Sequence, residues 1–115
     1  AGDAAHLNNP LGGFGMNSGI HDEFNLFEKL LPVIKGQADL DSNLALYDRQ
    51  RREVTHSFTQ TQTKANMALI SGARDGAHEA RRRELLAIRD DDEQRRAYLL
   101  RQGMFQSLKQ AALIR

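Results

Sequence analysis

Hydrophobic side chains recur at helical spacing along the first half of the chain, and no useful length of sequence alternates as a strand does. The first series follows steps of three or four residues and comprises Met16, Ile20, Phe24, Phe27, Leu31 and Ile34. That spacing places all six on one face of a helix, which Lys35 and Gly36 are suited to end. The simplest interpretation of Met16, Phe24 and Phe27 within this stripe is that they form core.

A second series predicts a long helix that starts after Asp41 or Ser42, either of which can cap it, and that stops at Ser71-Gly72. Its members have a period of about 3.5 residues and are Leu44, Tyr47, Arg51, Val54, Phe58, Thr61, Ala65 and Leu69. The middle of this helix is polar, which is typical of a helix that packs against another surface.

Two further helices are predicted over residues 76–89 and 91–113, with Gly103 interrupting the second of them. The chain is therefore predicted to be mainly α, with three to four helices. The first helix is apolar nearly all round from Phe24 to Ile34, and three very polar helices cannot cover it fully. We therefore expect it to pack against polypeptide beyond this chain.

The composition narrows the classes of function. With 115 residues, 16 Lys+Arg and 15 Asp+Glu, the chain has the size of one domain and a net charge of +1. Cysteine is absent, which excludes a disulfide frame, a thiolate nucleophile and cysteine-ligated zinc. The four histidines share no paired spacing on one helix face, so no metal site is predicted, and we expect each to be a surface or turn residue.

Charge and hydropathy also bear on the surroundings of the chain. The near-zero net charge gives no overall attraction to nucleic acid, and the arginines after residue 80 are interleaved with acidic residues as in ion pairs. No apolar run approaches the roughly 18 residues of a membrane span, and the first residues lack the basic and apolar regions of a signal peptide. These features predict a cytoplasmic protein without nucleic-acid binding or a membrane span.

The first nineteen residues are rich in glycine and carry the candidate chemistry. Asp3 stands on a turn of small residues, where its carboxylate can accept hydrogen bonds from the hydroxyl groups of a ligand. Glycines after Pro10 let a flat ring or a phosphate approach the backbone, because no Cβ is in the way. The free N–H groups at the start of the first helix attract an electron-rich or anionic atom. Together these features suit a cofactor with a polyol, a phosphate and a ring that becomes negative on reduction.

In that order, these residues resemble the second FAD-binding motif of the flavoprotein aromatic hydroxylases, single-component FAD-dependent monooxygenases of the para-hydroxybenzoate hydroxylase fold. The likeness is closest over residues 1–30, and it continues more loosely through Leu40-Asp41 and the run from Tyr47 to Arg52. It implies that the chain forms the C-terminal part of an α/β FAD-binding fold, with the motif in residues 1–36 and a helical region in residues 37–115.

The resemblance implies roles for the turn and for the proline. Asp3 would hydrogen-bond the ribityl chain of FAD, and Gly2 and Ala4 would keep the turn tight beside the pyrophosphate. Pro10 would be the catalytic position, next to the edge of the isoalloxazine from which oxygen is transferred.

The remaining implied roles concern the flavin ring. Gly12 and Gly13 would leave room for it, and Gly15 belongs to the same cofactor-binding set. The backbone N–H groups of Met16 and Asn17 would face the pyrimidine edge of the flavin, where positive potential at the helix start would stabilise negative charge that develops on reduction.

The implied activity is hydroxylation of an aromatic substrate with NAD(P)H and O2, with FAD as the cofactor. The family's Gly-x-Gly-x-x-Gly fingerprint for the ADP half of FAD is not in this chain. The resemblance therefore implies a missing N-terminal part as partner, and a fragment that is inactive alone. Glu23 and Glu53 depart from the family, which commonly has a small residue at the first position and often proline at the second.

Two other functions rest on other parts of the chain, the first on the stripe from Leu44 to Leu69 and the second on the arginines after residue 80. One is a non-enzymatic helical interaction module that assembles through its amphipathic helices, for example as a homo-oligomer. The other is a basic helical nucleic-acid binder, whose affinity would have to fall steeply with salt.

Overall fold

The computed structural model describes residues 1–71 and 76–115, and over those residues it is helical and without strands. The mainly α class is therefore confirmed. A 3-10 turn, Gly2–Ala4, comes first, and a π-helical turn, Thr55–Thr59, joins the second and third α-helices. The α-helices of the described residues are α1 Phe14–Ile34, α2 Leu40–Val54, α3 Gln60–Ile70, α4 Ala77–Asp90, α5 Asp92–Gln102 and α6 Phe105–Leu113.

Helix α1 confirms the predicted first helix, but it turns the predicted stripe away from the interior. Its buried residues are Phe14, Ser18 and Asp22, which are four residues apart and so lie on one face. The predicted stripe stays exposed, with exposed fractions of 75% for Met16 and 67% for Phe24. The interpretation of this stripe as core is wrong, because the part of the chain that the structure describes packs on the opposite side of α1.

The predicted second helix is a continuous helical run that starts earlier than expected and changes pitch. The cap is Asp39, whose Oδ2 accepts a hydrogen bond from the Ser42 N–H at 2.8 Å, so Asp41 and Ser42 lie inside the first turn. Helix α3 ends at Ile70, directly before the predicted stop at Ser71-Gly72. Gly72 lies outside the described residues.

The π-helical turn shifts the buried face of this run by one residue. Val54 and Phe58 are buried as predicted, but Thr59 and Thr63 follow them into the interior, while the predicted Thr61 is exposed. A π-helical turn holds an extra residue, so the positions beyond it are rotated relative to an unbroken α-helix.

The predicted fourth helix is two helices, α5 and α6. Asp91 caps α5 by accepting a hydrogen bond from the Gln94 N–H at 2.9 Å. The break follows at Gly103 and Met104, where Met104 takes a left-handed φ of 62°. A Cβ on Gly103 would lie 3.1 Å from the Phe105 ring, so the glycine allows the tight bend.

A small cluster of hydrophobic residues joins α1, α2, the π-helical turn and the α5–α6 corner. Its buried members within the described residues are Phe14, Val54, Phe58, Met104 and Ala111. The Phe14 and Phe58 rings meet edge to face, with centroids 6.1 Å apart, an arrangement that aromatic pairs favour. Within the described residues, eight buried polar or charged residues outnumber these five, and the ion pair of Asp22 with Arg51 is among them.

One buried ion pair links α1 to α2. The Arg51 Nε donates to Asp22 Oδ1 at 2.6 Å, and the exposed fractions of the two side chains are 4% and 0%. The next residue, Arg52, pairs with Asp48 at 2.7 Å on the surface of α2. The two neighbouring arginines therefore make the same kind of contact in opposite surroundings.

None of the helices that the structure describes has the length and apolar character required to cross a bilayer.

Replacing Arg51 by methionine should lower the free energy of unfolding by about 3–5 kcal/mol, because it leaves the Asp22 carboxylate buried without the guanidinium that balances its charge. The matched change Arg52→Met breaks an exposed pair and should cost less than about 1 kcal/mol. Urea unfolding followed by circular dichroism measures both values. Equal losses of unfolding free energy in the two variants would contradict the conclusion that the buried pair stabilises the fold more than the exposed pair does.

Candidate functional site

The turn that carries Asp3 lies directly on the glycine positions of α1. Gly15 and Gly19 are four residues apart and share a face of the helix. A Cβ on Gly19 would lie 3.4 Å from the Gly2 Cα, and a Cβ on Gly15 would lie 3.9 Å from the Asp3 Oδ1. The turn therefore lies in van der Waals range of this face of the helix, with the Asp3 carboxylate beside the first turn of α1.

The Asp22 carboxylate ties this turn to both long helices. Its Oδ2 accepts a hydrogen bond from the Gly2 N–H at 2.9 Å and lies 2.6 Å from the Nε2 of His6. An ionised carboxylate only accepts hydrogen bonds, so the Nε2 of His6 carries the proton of this bond. The other oxygen, Oδ1, accepts from Arg51 on α2. One buried carboxylate thus joins the turn, α1 and α2.

The surroundings of Asp22 favour its ionised form. Burial by itself raises the pKa of Asp22, but hydrogen bonds from Arg51, Gly2 and His6 outweigh burial and leave the pKa below its usual value. The same charges act on nearby groups. Burial and the Asp22 carboxylate raise the pKa of Tyr47, and burial and the Arg51 guanidinium lower the pKa of His21.

The loop with Pro10 is fixed against α3. Its turn closes through a hydrogen bond from the Gly13 N–H to the Pro10 carbonyl at 3.2 Å. Asn66 of α3 donates from Nδ2 to the Leu11 carbonyl at 3.4 Å. Gly12 has φ of +106°, and a Cβ there would lie 2.6 Å from the Asn66 Nδ2. A side chain at position 12 would therefore strain the backbone and force the Asn66 amide or the buried Phe14 ring, 2.7 Å away, to move.

The start of α1 presents backbone donors. Gly13 precedes the helix in a left-handed conformation, and no side chain of the described residues caps it. The N–H groups of Phe14, Gly15 and Met16 have no carbonyl four residues earlier within the helix. Asn17 is the first residue whose N–H finds such a partner, and its side chain donates from Nδ2 to the Gly13 carbonyl at 2.9 Å. The three free donors create positive potential at this end of α1.

The predicted site residues lie in three adjoining pieces: the 3-10 turn, the Pro10 loop and the start of α1. Gly2 and Gly15 are half-buried, whereas the others are exposed, namely Asp3, Ala4, Pro10, Gly12, Gly13, Met16 and Asn17. The structure brings Asp3 to Gly15 and joins Gly13 to both Pro10 and Asn17. The roles assigned to these residues stay predictions.

Chemically, this arrangement can bind a ligand that has hydroxyl groups and an electron-rich edge. The Asp3 carboxylate accepts no hydrogen bond from the described residues, so it is available to a hydroxyl donor. The free N–H groups of α1 are available to an acceptor atom. A Cβ on Gly13 would meet no atom within 4 Å, so the backbone there has open space beside it.

Sequence reasoning missed the side chains that hold the turn in place. His6 was expected at the surface or in a turn, yet its side chain is only 12% exposed and contacts Asp22. Asp22 lies within residues 1–30, where the family resemblance is closest, but the resemblance implied no role for it. The detectable signal was an acidic residue four positions after Ser18 and eight after Phe14, on the face opposite the apolar stripe.

Known proteins match the same half of the chain. A family model described as FAD binding domain matches residues 1–62. An FAD-dependent monooxygenase of Aspergillus hancockii is 47% identical over 60 residues, which are 52% of this chain and 11% of that protein. The rifampicin monooxygenase of Rhodococcus hoagii is 44% identical over 73 residues, 64% of this chain and 15% of that protein.

A third relative, the para-nitrophenol 4-monooxygenase of a Pseudomonas species, is 44% identical over 66 residues, which are 57% of this chain and 16% of that protein. The chain thus matches only between 11% and 16% of the length of these relatives. No solved structure matches the chain.

The pH dependence of stability should report the ionised state of Asp22. Because its pKa is lower in the folded chain than in the unfolded one, Asp22 stabilises the fold above its unfolded pKa of about 3.9. This contribution is lost as the pH falls through the lower, folded pKa. The Asp22→Asn variant should therefore be less stable at pH 7, and its difference from the original chain should shrink below about pH 4. Urea unfolding at pH 7, 5, 4 and 3 measures this difference, and a constant value would contradict the assignment.

Proposed function

Since the chain belongs to the family of FAD binding domains, we propose that it supplies the flavin-facing segment of an FAD-dependent monooxygenase. The observation that carries this proposal is the Asp3 carboxylate beside the uncapped start of α1. The relatives support the same class of reaction, because three of them are named as monooxygenases. The matched residues 1–62 include the turn, the Pro10 loop and the whole of α1.

The donors and acceptors of the segment fit the chemical parts of FAD. Asp3 accepts hydrogen bonds from hydroxyl groups of the ribityl chain. Gly2 and Ala4 keep the turn tight beside the pyrophosphate. The N–H groups at the start of α1, including that of Met16, face the pyrimidine edge of the ring. Their positive potential stabilises the reduced, negative form of the cofactor.

The glycines and Pro10 shape the approach to the ring. Gly12 and Gly13 keep the backbone free of side chains on the exposed side of the loop, and the contact with Asn66 fixes the loop position. Pro10 lies at the exposed corner of this loop and is the residue we place beside the reacting atoms. Bound FAD supplies the redox chemistry, and the residues of this chain orient it and stabilise its charge.

We propose that the substrate is an aromatic small molecule and that NAD(P)H is the electron donor. One atom of O2 would enter a C–H bond of the aromatic ring as a hydroxyl group, and the other would leave as water, formed with the hydride of NAD(P)H and one proton. The name of one relative, a para-nitrophenol 4-monooxygenase, supports the aromatic substrate in this proposal.

The exposed apolar stripe of α1 supports the proposal that the partner of this chain is an N-terminal part of the same flavoprotein. Phe24, Phe27 and Ile34 are 67%, 60% and 79% exposed, which is costly for large apolar side chains in water. Polypeptide that carries the Gly-x-Gly-x-x-Gly fingerprint for the ADP half of FAD would cover this stripe and complete the cofactor site. The same exposed stripe also favours a second candidate function, a helical interaction module that self-associates through it.

The proposal predicts that the chain, mixed with the N-terminal part, yields a complex that holds a yellow flavin. Changing Asp3 to alanine should weaken FAD binding by about 1.5–3 kcal/mol, the value of a hydrogen bond to a charged group. Flavin fluorescence titration measures the affinity. Asp41→Ala is the matched control, since Asp41 is an exposed carboxylate in the first turn of α2.

An unchanged affinity for Asp3→Ala would show that the role of Asp3 is wrong. A complex without bound flavin would overturn the FAD proposal itself. A cooperative thermal transition and a defined oligomer of the chain alone, without any dependence on flavin, would favour the interaction module.

A further inference from the structure

We propose that Asp22 is a positioning residue: it holds the 3-10 turn on α1 and thereby sets the place of the Asp3 carboxylate. The proposal deepens the function given above and rests on it for the link to FAD. The part that concerns the turn rests on contacts within this chain alone.

Asp22 can act on a ligand only through other residues. Its side chain is fully buried, so no cofactor atom can touch it. Both carboxylate oxygens already have partners within the chain, namely Gly2 and His6 on Oδ2 and Arg51 on Oδ1. A change at Asp22 therefore reaches the exposed side of the site through the turn.

The turn is tied to Asp22 on both sides of Asp3. Gly2 precedes Asp3 and donates its N–H to the carboxylate, while His6 follows the turn and binds the same oxygen through its ring. Between these two points the backbone closes on itself, because the Gly2 carbonyl accepts from the N–H of Ala5 at 2.8 Å and of His6 at 3.1 Å. Asp3 is thus held by its neighbours, and its own carboxylate stays free.

Arg51 holds the Asp22 carboxylate in the position from which it binds Gly2 and His6. Its Nε binds Asp22 Oδ1, and its Nη2 lies 3.5 Å from the Ser18 carbonyl on α1. The guanidinium balances the buried negative charge, so Asp22 stays ionised and can bind both Gly2 and His6. The position of the turn therefore depends on α2 as well as on α1.

Two kinds of variant separate positioning from simple destabilisation. Asp22→Asn removes the charge of the carboxylate. His6→Ala removes one hydrogen bond to the turn and leaves the Asp22–Arg51 pair intact. The His6 variant therefore keeps the proposal testable if Asp22→Asn does not fold. His6→Gln is the conservative variant, because the glutamine amide can donate where the His6 Nε2 does. Glu28→Gln, at an exposed position of α1, is the control.

Amide hydrogen exchange of the chain, followed by NMR, tests the turn without any flavin. In Asp22→Asn and His6→Ala, exchange of the Ala5 and His6 amides should accelerate about tenfold, the factor for one lost hydrogen bond. Amides in the middle of α4 should not change in the His6 variants. His6→Gln should restore slow exchange and Glu28→Gln should not alter it. Unchanged exchange in Asp22→Asn and His6→Ala would overturn the proposal.

FAD affinity of the complex with the N-terminal part tests the link to Asp3. Asp22→Asn should weaken binding about tenfold, and the double variant with Asp3→Ala should bind no more weakly than Asp3→Ala alone. Losses that simply add would show that Asp22 does not act through Asp3. If the original complex binds no FAD, the proposed function fails, and hydrogen exchange alone then decides whether Asp22 holds the turn.

Discussion

The structure depends on a negative charge that is buried between two helices and is paired there. The Asp22 carboxylate has no contact with water, so it is stable only because Arg51 and two further donors surround it. Its partners come from the 3-10 turn and from α2, which are distant in sequence. One carboxylate therefore makes two connections at once, to α2 through Arg51 and to the turn region through Gly2 and His6.

Helix α1 has two faces with different tasks. One face carries Phe14, Ser18 and Asp22 and packs within the chain, with Gly15 and Gly19 beside it to receive the turn. The opposite face is a row of large apolar side chains in water. The helix thus turns a mixed face of Phe14, Ser18 and Asp22 to the interior of the described residues and leaves large apolar side chains exposed, which reverses the usual pattern of a surface helix.

Local patterns in the sequence were enough to locate the helices, since hydrophobic spacing marks α1 and the run from α2 to α3. They failed on the choice of face in α1, because Met16 and Phe24 are apolar and Asp22 is not. The face of Asp22 is buried through its pairing with Arg51, 29 residues away, and through the contact of Phe14 with Phe58. The turn, the loop and the helix start follow from glycine, proline and the family resemblance. The residues that hold the turn do not, because their partners meet only in the folded chain.

The π-helical turn Thr55–Thr59 holds one residue more than the α-helical turn that it replaces. An α-helix advances about 100° per residue, so one extra residue in an unbroken α-helix would rotate all of α3 relative to α2. The wide turn absorbs that residue, and Asn66 contacts the Leu11 carbonyl beyond it. A one-codon deletion within Thr55–Thr59 would therefore restore a regular α-helix and keep this contact, whereas the same deletion within α3 before Asn66 would carry Asn66 away from the loop.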